Sequence, residues 1–510
     1  MIAKIYSSCL LGIDAYEVTV ETDIGGGLPY FNIVGLPDPA IKESRDRIKA
    51  AVKNSGYSFP SKKITINLAP ADIRKEGAAL DLPIALSILA SEEVLDSGGM
   101  QDIIFCGELS LDGKLKPVKG VLPISMAMGK MGKKRLILPA DNAREAAMVK
   151  DIEVYPAGSL KEVVDFLNKT IDIKAQRSNI EQIFKKNSRY KIDFADVKGQ
   201  EHVKRGLEIA AAGGHNVLLI GPPGSGKSML AKRLTTILSE MTIEESLETS
   251  KIHSVSGKLI PGKGLIGTRP FRSPHHTISD AALVGGGTHP APGEISLAHN
   301  GVLFLDELPE FKRNVLEVLR QPLEEGAITI SRISNTLTYP SKFMLVAAMN
   351  PCPCGYFTDP KRECLCSPFQ IQRYLSKISG PLLDRIDIHL EVPRLELKHL
   401  TDKRCGEASC EIRKRVDRGR SVQRERLKAD GIFFNAHLES KEIEKYCVMD
   451  KEREELLKLA ILELGISARA YDKILKISRT IADLDSKDVI EAHHVSEAIS
   501  YRSLDRNLWG

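Results

Sequence analysis

The sequence predicts an α/β protein of several domains, with a parallel sheet in its central third and a helical C-terminal region. Short β-branched runs alternate with helical patterns up to about residue 170, and strand-like apolar cores alternate with helical patterns over 191–400. The alternation over 191–400 is typical of a parallel sheet with crossover helices. Helical patterns dominate 401–510, and the charged stretch 171–190, which loses apolar periodicity, predicts a linker.

Length and composition limit the protein classes that remain open. At 510 residues the chain exceeds one core of ordinary size, so we expect two to four domains. Hydrophobic residues make up 42% and charged residues 27%, which favours a globular protein over a disordered or fibrous one. The formal net charge of +5 permits a polyanionic partner without establishing one. We find neither a secretory leader nor a run of 18 apolar residues, so we expect a cytoplasmic protein with no membrane partner.

The N-terminal third alternates between two periodicities. The runs YEVTVET, KITINLAP and RLILPA are rich in β-branched residues and favour strands. The runs AIKESRDRIKAAVKNSG and AALDLPIALSILASEEVL repeat apolar residues at helical spacing. Residues 1–170 are therefore predicted to form an α/β domain.

A glycine-rich run after an apolar strand predicts a nucleotide site. It matches the pattern G-x-x-x-x-G-K-[ST], follows the apolar residues 217–220 and precedes a helical pattern. Glycines let the backbone approach phosphates, whose charge the amide groups and the helix N-terminus balance. Lys227 is predicted to contact the β- and γ-phosphates of ATP, and Ser228 to hold Mg²⁺. The predicted cradle comprises Gly221, Pro222, Pro223, Gly224, Ser225, Gly226, Lys227 and Ser228.

A second apolar strand, 301–305, ends in two carboxylates. Asp306 is predicted to complete the Mg²⁺ shell with Ser228, and Glu307 to polarise the attacking water. Carboxylates at strand ends are common by themselves, but here a phosphate-binding loop lies upstream. Together the two motifs predict ATP hydrolysis.

Three further residues are candidates for contacts with the γ-phosphate. Asn350 ends the strand-like run 343–349 and is predicted to orient the lytic water, the alternative being a turn residue. Arg385 is the candidate arginine finger, which would be supplied in trans and would require head-to-tail assembly. A surface ion pair is the alternative for Arg385. Arg469, in the helical tail, is a candidate lid sensor.

These motifs together carry a family resemblance. The runs FADVKGQ, LFLDELPEF, AAMNPCPCGY and SGPLLDRID, with the glycine-rich loop, resemble magnesium-chelatase-like AAA+ ATPases of the YifB/ComM family over nearly the whole chain. The resemblance implies an AAA+ αβα core with a parallel sheet at 191–400, with helix-2-type and hairpin insertions, and a helical C-terminal lid at 401–510. It places Val197 and Gly199 near the adenine.

The same resemblance implies a function. Members of this family are expected to act as homohexameric ATP-dependent DNA helicases or translocases, promoting branch migration of recombination intermediates as in natural transformation. Two alternatives stay open: a magnesium-chelatase-type motor subunit, and an ATP-dependent protein remodeller or protease. The chelatase motor lacks the N-terminal domain that is predicted here.

Two insertions are candidates for contact with single-stranded or branched DNA. The first runs from Pro261 to Gly287 and is loop-like and partly basic; the second, 327–339, alternates like a hairpin with its turn near 334–335. Sequence-independent tracking of DNA needs cations at phosphates, which makes Lys263 and Arg332 the candidate contacts. Solvated loops are the alternative. His275 and His276, in the first insertion, are interpreted as loop residues without a role rather than as metal or phosphate contacts.

The N-terminal domain carries a second resemblance. The run GELSLDG followed by PVKGVLP resembles the proteolytic domain of Lon protease, which implies a Lon-protease-like (ribosomal S5-like) α/β fold for 1–170. Aligned on Lon, Ala79 and Leu122 take the positions of the catalytic serine and lysine. Neither side chain can act as a nucleophile or base, so the domain is expected to be non-catalytic. Lys75 and Lys119 lie near these positions in the sequence.

Four cysteines form two tight pairs. Cys352 with Cys354, and Cys364 with Cys366, have a spacing that allows one tetrahedral Zn²⁺. Four cysteine ligands leave no open position, so such a zinc ion would be structural. Four reduced thiols are the alternative that the spacing leaves open.

Overall fold

The computed structural model describes residues 2–260, 262–287, 291–331, 336–357, 359, 362–394, 406–449, 455 and 468–502. Strands within this part of the chain form two N-terminal sheets, a central five-stranded parallel sheet and three two-stranded pairs. The protein is therefore of mixed α/β class with a parallel sheet, as the alternating periodicities predict.

The first N-terminal sheet has four strands. Alternate residues along Lys63–Ala69 are buried, at Ile64, Ile66 and Leu68, as expected when one face of a sheet covers a core. Helices Pro39–Asn54 and Asp81–Ser91 pack on that face, and the Asp38 side chain caps the first of them. In spatial order the strands are Ala3–Leu11, Asp14–Gly25, Lys63–Ala69 and Tyr30–Val34.

A second N-terminal sheet is parallel and has three strands. Its members, in spatial order, are Ile103–Phe105, Arg135–Pro139 and Glu153–Ala157. A short antiparallel pair, Glu108–Leu109 with Leu115–Lys116, lies between the first two of these strands in the sequence. The accompanying helical segments are Ala78–Leu80, Ser97–Gly99, Val121–Ala127, Ala140–Asn142, Ala143–Ala146 and Leu160–Leu167.

The central sheet consists of five parallel strands. The four-residue strands Val217–Ile220 and Val302–Leu305 are completely buried and apolar, as expected where helices cover both faces. Their predicted positions are confirmed. In spatial order the strands are Phe271–Arg272, Val302–Leu305, Met344–Met349, Val217–Ile220 and Ile388–Glu391. The helical segments of this region are Phe194–Asp196, Glu201–Gly213, Lys227–Ile237, Ile243–Val255, Asp280–Val284, Glu294–Leu297, Leu308–Glu310, Arg313–Glu317, Arg320–Glu325, Pro368–Leu375 and Gly380–Leu383.

Two antiparallel pairs extend from the central region. In the first insertion Gly285–Gly286 pairs with Ala291–Pro292. In the second, Ala327–Ser331 pairs with Thr336–Pro340, which confirms the strands of the predicted hairpin. The turn of that hairpin, with Arg332, lies outside the described residues.

The segment 171–190, predicted as a linker, carries the helix Ile180–Asn187. Ile180 packs with Leu122 of the N-terminal region and Leu265 of the first insertion. The partly buried Glu145 carboxylate accepts hydrogen bonds from the Leu122 amide and the Ser254 hydroxyl. The linker segment and these contacts fix the N-terminal region against the insertion.

The described part of 406–502 contains helices and turns and no strand. Its helical segments are Ser409–Leu427, Lys428–Asp430, Asn435–His437, Ser440–Tyr446, Ala468–Leu484 and Ala492–Ser500. Across the described residues, no helix is both long enough and apolar enough to cross a lipid bilayer.

Candidate active site

Three chemically active segments lie at one edge of the central sheet. The strand Met344–Met349 pairs with both Val217–Ile220 and Val302–Leu305, and all three run in the same direction. Their carboxyl ends are therefore adjacent, and binding sites of open α/β sheets form at such ends. The glycine-rich loop, the Asp306–Glu307 pair and Asn350 each follow one of these strands.

The glycine-rich loop needs its glycines for conformation and for space. Gly224 and Gly226 have positive φ angles of 75° and 94°, which side chains disfavour. A Cβ atom on Gly221 would clash with the carbonyl oxygen of Val392. The helix Lys227–Ile237 begins directly after the loop, so its free amide groups face the cradle. The predicted residues Gly221 to Ser228 thus form one turn that leads into a helix N-terminus, an arrangement that can bind an anion.

Lys227 lies inside this cradle. Its ammonium group donates hydrogen bonds to the carbonyl oxygens of Gly221 and Pro222 at 2.7 and 3.0 Å, and to Asn350 Oδ1 at 3.1 Å. Burial lowers the pKa of Lys227, and the nearby charges of Asp306 and Glu307 oppose that effect. The structure therefore brings a cation and the predicted water-orienting amide together.

Ser228 and Asp306 provide the oxygen atoms that a magnesium ion requires. The Ser228 hydroxyl donates a hydrogen bond of 2.6 Å to Asp306 Oδ2. Hydroxyl and carboxylate oxygens are hard ligands of the kind that Mg²⁺ prefers, with phosphate and water completing its shell. The residues present therefore fit the predicted ion.

Glu307 follows Asp306 with an unusual backbone. Its φ angle is 53°, in the left-handed region that non-glycine residues seldom adopt, and its amide donates to Asp306 Oδ1 at 3.0 Å. Its Oε2 lies 3.4 Å from Nδ1 of His276. The sequence interpretation assigned His276 no role. The available indication was its position just after Phe271–Arg272, a strand of the same parallel sheet whose end lies at the same edge.

The predicted adenine side of the site contains one further residue, to which the sequence analysis assigned no role. Val197 is fully buried, and Gly199 has a φ angle of 59°. The next residue, Gln200, donates from Nε2 to the carbonyl oxygens of Ser225 and Pro393 at 2.9 and 3.1 Å. Gln200 thus joins the segment preceding helix Glu201–Gly213 to the phosphate-binding loop.

Arg385 makes two described side-chain contacts within its own chain. Its guanidinium group forms an ion pair with Glu324 and donates to the Pro381 carbonyl oxygen. Among the described residues, none of these contacts involves the Lys227 cradle.

The segment that carries Arg385 is anchored to the C-terminal helices. His215 Nδ1 lies 3.1 Å from Asp387 Oδ2, while its Nε2 lies 2.9 Å from the Thr480 hydroxyl. Lys473 Nζ lies 3.9 Å from Asp387 Oδ1 and donates to the Ile386 carbonyl oxygen. Burial by itself would raise the pKa of Asp387, but the His215 hydrogen bond and the Lys473 charge hold that pKa far below its usual value.

The remaining candidates are only partly described. Arg469 lies in the first turn of helix Ala468–Leu484, and its side chain is outside the described part of the structure. Lys263 is exposed and lies beside a cavity of about 380 Å³. Arg269 and Arg272, which also line that cavity, are already paired with Glu245 and Glu294 respectively. Arg332 lies outside the described residues.

The four paired cysteines converge in space. All four sulfur atoms lie within 4.8 Å of one another, with Cys352, Cys354 and Cys364 separated by 3.3 to 3.6 Å. The Cys366 sulfur accepts the Cys354 amide hydrogen at 3.4 Å. Tetrahedral zinc with bonds of about 2.3 Å requires sulfur atoms roughly 3.8 Å apart. The residues therefore fit one Zn²⁺.

The quartet lies directly against the phosphate-binding loop. Cys352 comes two residues after Asn350, and a Cβ atom on Gly355 would meet the Pro223 ring at 2.6 Å. The arrangement that holds the cysteines together therefore also supports Asn350 and Pro223.

A second group of metal-ligand residues has a different explanation. Asp485, His493 and His494 also lie close together. His494 Nδ1 accepts the Glu491 amide hydrogen at 2.9 Å, so Nε2 carries the proton and faces Asp485 at 3.3 Å. A protonated nitrogen cannot bind a metal, so we interpret the contact between His494 and Asp485 as structural.

The positions aligned with the Lon catalytic pair are occupied by packing residues. The Ala79 carbonyl oxygen accepts a hydrogen bond from the Gly107 amide, and Leu122 is buried beside Met148. Lys119 packs against Gly257, which follows helix Ile243–Val255. Lys75 is fully buried, and its Nζ has no hydrogen-bond partner among the described residues.

Three family models match the chain. The model "Magnesium chelatase, subunit ChlI" matches residues 193–400, "Subunit ChlI of Mg-chelatase" matches 20–142, and "Magnesium chelatase, subunit ChlI C-terminal" matches 406–502. The first of these contains every candidate site residue except Arg469, which lies within the third.

Individual proteins match at two levels of similarity. The chain is 46% identical to the Competence protein ComM of Haemophilus influenzae, over 99% of this chain and 98% of that protein. It is 44% identical to the YifB protein of Escherichia coli (strain K12), over 99% of this chain and 97% of that protein. Similarity to the Magnesium-chelatase 38 kDa subunit of Rhodobacter capsulatus is 26% identity, over 31% of this chain and 50% of that subunit.

Proposed function

This chain belongs to the magnesium-chelatase-like family that includes the Competence protein ComM and the YifB proteins, and we propose that it is an ATP-driven homohexameric DNA helicase or translocase. In this proposal it promotes branch migration of recombination intermediates, as in natural transformation. The observation that carries the enzymatic part is the convergence of Lys227, Ser228, Asp306, Glu307 and Asn350 at one edge of the central sheet.

The proposed hydrolysis begins with binding of the ATP phosphates. The amide groups of the loop and the Lys227 ammonium bind the phosphates, with Val197 and Gly199 beside the adenine. Ser228 and Asp306 hold Mg²⁺, which when bound neutralises phosphate charge. Glu307 polarises the attacking water, while Asn350 orients it. Because Lys227 donates to Asn350, a phosphate that draws Lys227 forward also frees the Asn350 amide oxygen.

The transition state requires a further cation, which we assign to the neighbouring subunit. The described contacts of Arg385 are with Glu324 and the Pro381 carbonyl oxygen, and they are compatible with an arginine that serves the site of the adjacent subunit. In a head-to-tail ring each Arg385 reaches the γ-phosphate of the adjacent site, and Arg469 acts as the sensor of the lid. The His215 and Lys473 contacts of Asp387 then connect finger movement with the C-terminal helices.

DNA as the partner rests on the near full-length match to a protein named for competence. Lys263, which is exposed, and Arg332, which lies outside the described residues, are the proposed phosphate contacts within the two insertions. The quartet Cys352, Cys354, Cys364 and Cys366 is the proposed structural zinc site. We further propose a cytoplasmic protein with a non-catalytic Lon-like domain at 1–170, a linker at 171–190, the AAA+ core at 191–400 and a lid at 401–510.

The direct test measures ATP turnover by the purified full-length protein with and without single-stranded, forked and four-way DNA. We expect DNA to stimulate turnover, and we expect the protein to move the branch point of a fluorescently labelled junction. Lys227→Ala should bind the same DNA and do neither. A protein whose turnover is unchanged by DNA and which binds none of these substrates would contradict the helicase proposal.

A magnesium-chelatase-type motor subunit is the second candidate, favoured by the three family models named for subunit ChlI. An ATP-dependent protein remodeller is the remaining alternative. For both alternatives we expect DNA to leave ATP turnover unchanged, so measuring turnover with and without DNA separates them from the helicase.

A further inference from the structure

His276 is held close to the carboxylate that is proposed to activate water. Its Nδ1 lies 3.4 Å from Glu307 Oε2. The contact arises from the sheet, because Phe271 and Arg272 pair in register with Val302 and Leu303. The segments that follow these two strands both leave the same edge of the sheet, within a few residues of the paired positions. No other described side chain lies within hydrogen-bond or ion-pair distance of the Glu307 carboxylate.

The His276 ring is fixed by its neighbours. The His275 ring lies 4.1 Å from it, and the Phe311 ring meets it edge-on at 6.4 Å. Phe311 is buried and follows the short helix Leu308–Glu310, which starts directly after Glu307. His275 Nδ1 lies 2.9 Å from the Thr277 hydroxyl. These contacts hold the ring so that its Nδ1 edge faces Glu307.

The same segment leads into the first insertion. Arg272, before His276, makes two short contacts of 2.6 and 2.7 Å with Glu294, on the far side of the insertion. Lys258 adds a third contact to Glu294 at 2.9 Å. The chain between Arg272 and Glu294, with helix Asp280–Val284 and the paired strands Gly285–Gly286 and Ala291–Pro292, is therefore a closed loop. Within the described part of that loop, His276 contacts Glu307 of the candidate ATP site.

We propose that His276 is a positioning residue for Glu307, through which the first insertion controls ATP hydrolysis. The proposal rests on the function proposed above, since it assumes that Glu307 activates water. A catalytic base works best when a third group orients it, and small displacements of a reacting group are costly. Glu307 is more than half exposed and its backbone is strained, so His276 supplies the restraint that its carboxylate otherwise lacks. Movement of the insertion, when it binds a polymer, moves His276 and with it the Glu307 carboxylate.

The test compares three variants of the full-length protein. His276→Ala removes the donor, His276→Asn keeps an N–H donor near the position of Nδ1, and His493→Ala removes an exposed histidine of the C-terminal helices. Steady-state kinetics give kcat and KM for ATP with and without single-stranded DNA. Binding of a fluorescent ATP analogue reports the integrity of the cradle.

We expect His276→Ala to lower kcat between about 10- and 100-fold with KM changed less than about threefold, because orientation is lost and binding is kept. In His276→Ala the ratio of DNA-stimulated to basal turnover should fall towards one. His276→Asn should recover most of the kcat, and the control His493→Ala should match the wild type. An unchanged kcat in His276→Ala, or a loss that appears only in KM or is not rescued by Asn, would overturn the inference. Wild-type turnover without DNA stimulation would instead count against the proposed function, while the kcat comparison would still decide the role of His276.

Discussion

Two buried lysines, Lys227 in the central region and Lys75 in the N-terminal region, differ in what surrounds them. Burial lowers the pKa of both ammonium groups. Lys227 donates to three oxygen atoms and has two carboxylates nearby. Lys75 Nζ has no hydrogen-bond partner among the described residues, and only weaker electrostatic effects of Cys9 and Asp72 oppose the lowering of its pKa.

The difference follows from how the two sheets are built. In the central sheet, parallel strands end side by side, so residues distant in sequence meet around Lys227. In the N-terminal region Lys75 lies in an isolated bridge with Pro37, and packing residues occupy the positions aligned with the Lon pair. A buried charge therefore indicates catalysis only where oriented polar partners converge on it.

The largest effect on ATP turnover should come from removing the arginine that the adjacent subunit is proposed to supply to the Lys227 site. If Arg385 acts in trans, Arg385→Ala lowers turnover by roughly 10³- to 10⁵-fold while ATP binding is kept. Exposed Arg373 offers a matched control, and Arg373→Ala should leave turnover near the wild-type value. Mixing Arg385→Ala with Lys227→Ala subunits should restore part of the activity, since some sites then combine an intact cradle with an intact finger. No recovery at any mixing ratio would show that the Lys227 site is complete within one chain.

The cysteine quartet should have the next largest effect. We expect elemental analysis to find one zinc ion per chain, falling below about a tenth of an equivalent in a Cys364→Ser and Cys366→Ser double variant. Because the quartet loop supports Asn350 and Pro223, turnover should fall by about 10- to 100-fold.

Cys410→Ser changes an exposed cysteine outside the quartet and serves as the control. It should keep both the metal and the activity. Wild-type protein without zinc would leave reduced thiols as the correct interpretation.

The smallest effect should be found at Lys75. Lys75→Met keeps most of the volume and removes a buried charge without a hydrogen-bond partner, so stability should rise by about 1 to 3 kcal/mol while ATP turnover is unchanged. The lowered pKa means that the unfolded chain binds more protons than the folded one. Wild-type stability should therefore increase as the pH rises between the two pKa values, and this increase should be absent in Lys75→Met.

Calorimetric melting of the full-length chain over a range of alkaline pH measures both effects. If Lys75→Met melts at a lower temperature than the wild type, or loses ATP turnover, the contrast between the two lysines is wrong.

Much of the candidate site could be predicted because each motif follows a strand. The glycine-rich loop that carries Lys227 comes directly after an apolar run, as do Asp306 and Asn350, and parallel strands place such residues at one edge. The hairpin strands were predictable from alternation alone. The convergence of the cysteines followed from their close spacing.

Other contacts depend on tertiary packing that a single sequence does not specify. His276 faces Glu307 only because Phe271–Arg272 pairs with the neighbouring strand, and that strand has just two residues. Gln200 reaches the phosphate-binding loop across a turn. The charge of the segment 171–190 predicts a linker, but the segment carries the helix Ile180–Asn187. The few apolar residues of this helix pack against other regions of the chain, and such contacts are not visible in the sequence.

The most direct test of the ATP site measures ATP binding and hydrolysis by the wild type, Lys227→Ala and Glu307→Gln under identical conditions with Mg²⁺. We expect the wild type to bind and hydrolyse ATP, Lys227→Ala to lose both, and Glu307→Gln to bind ATP with turnover reduced by at least about 10²-fold. Hydrolysis by Glu307→Gln at the wild-type rate, or a wild type that binds no ATP at any oligomeric state, would contradict the site described at the sheet edge.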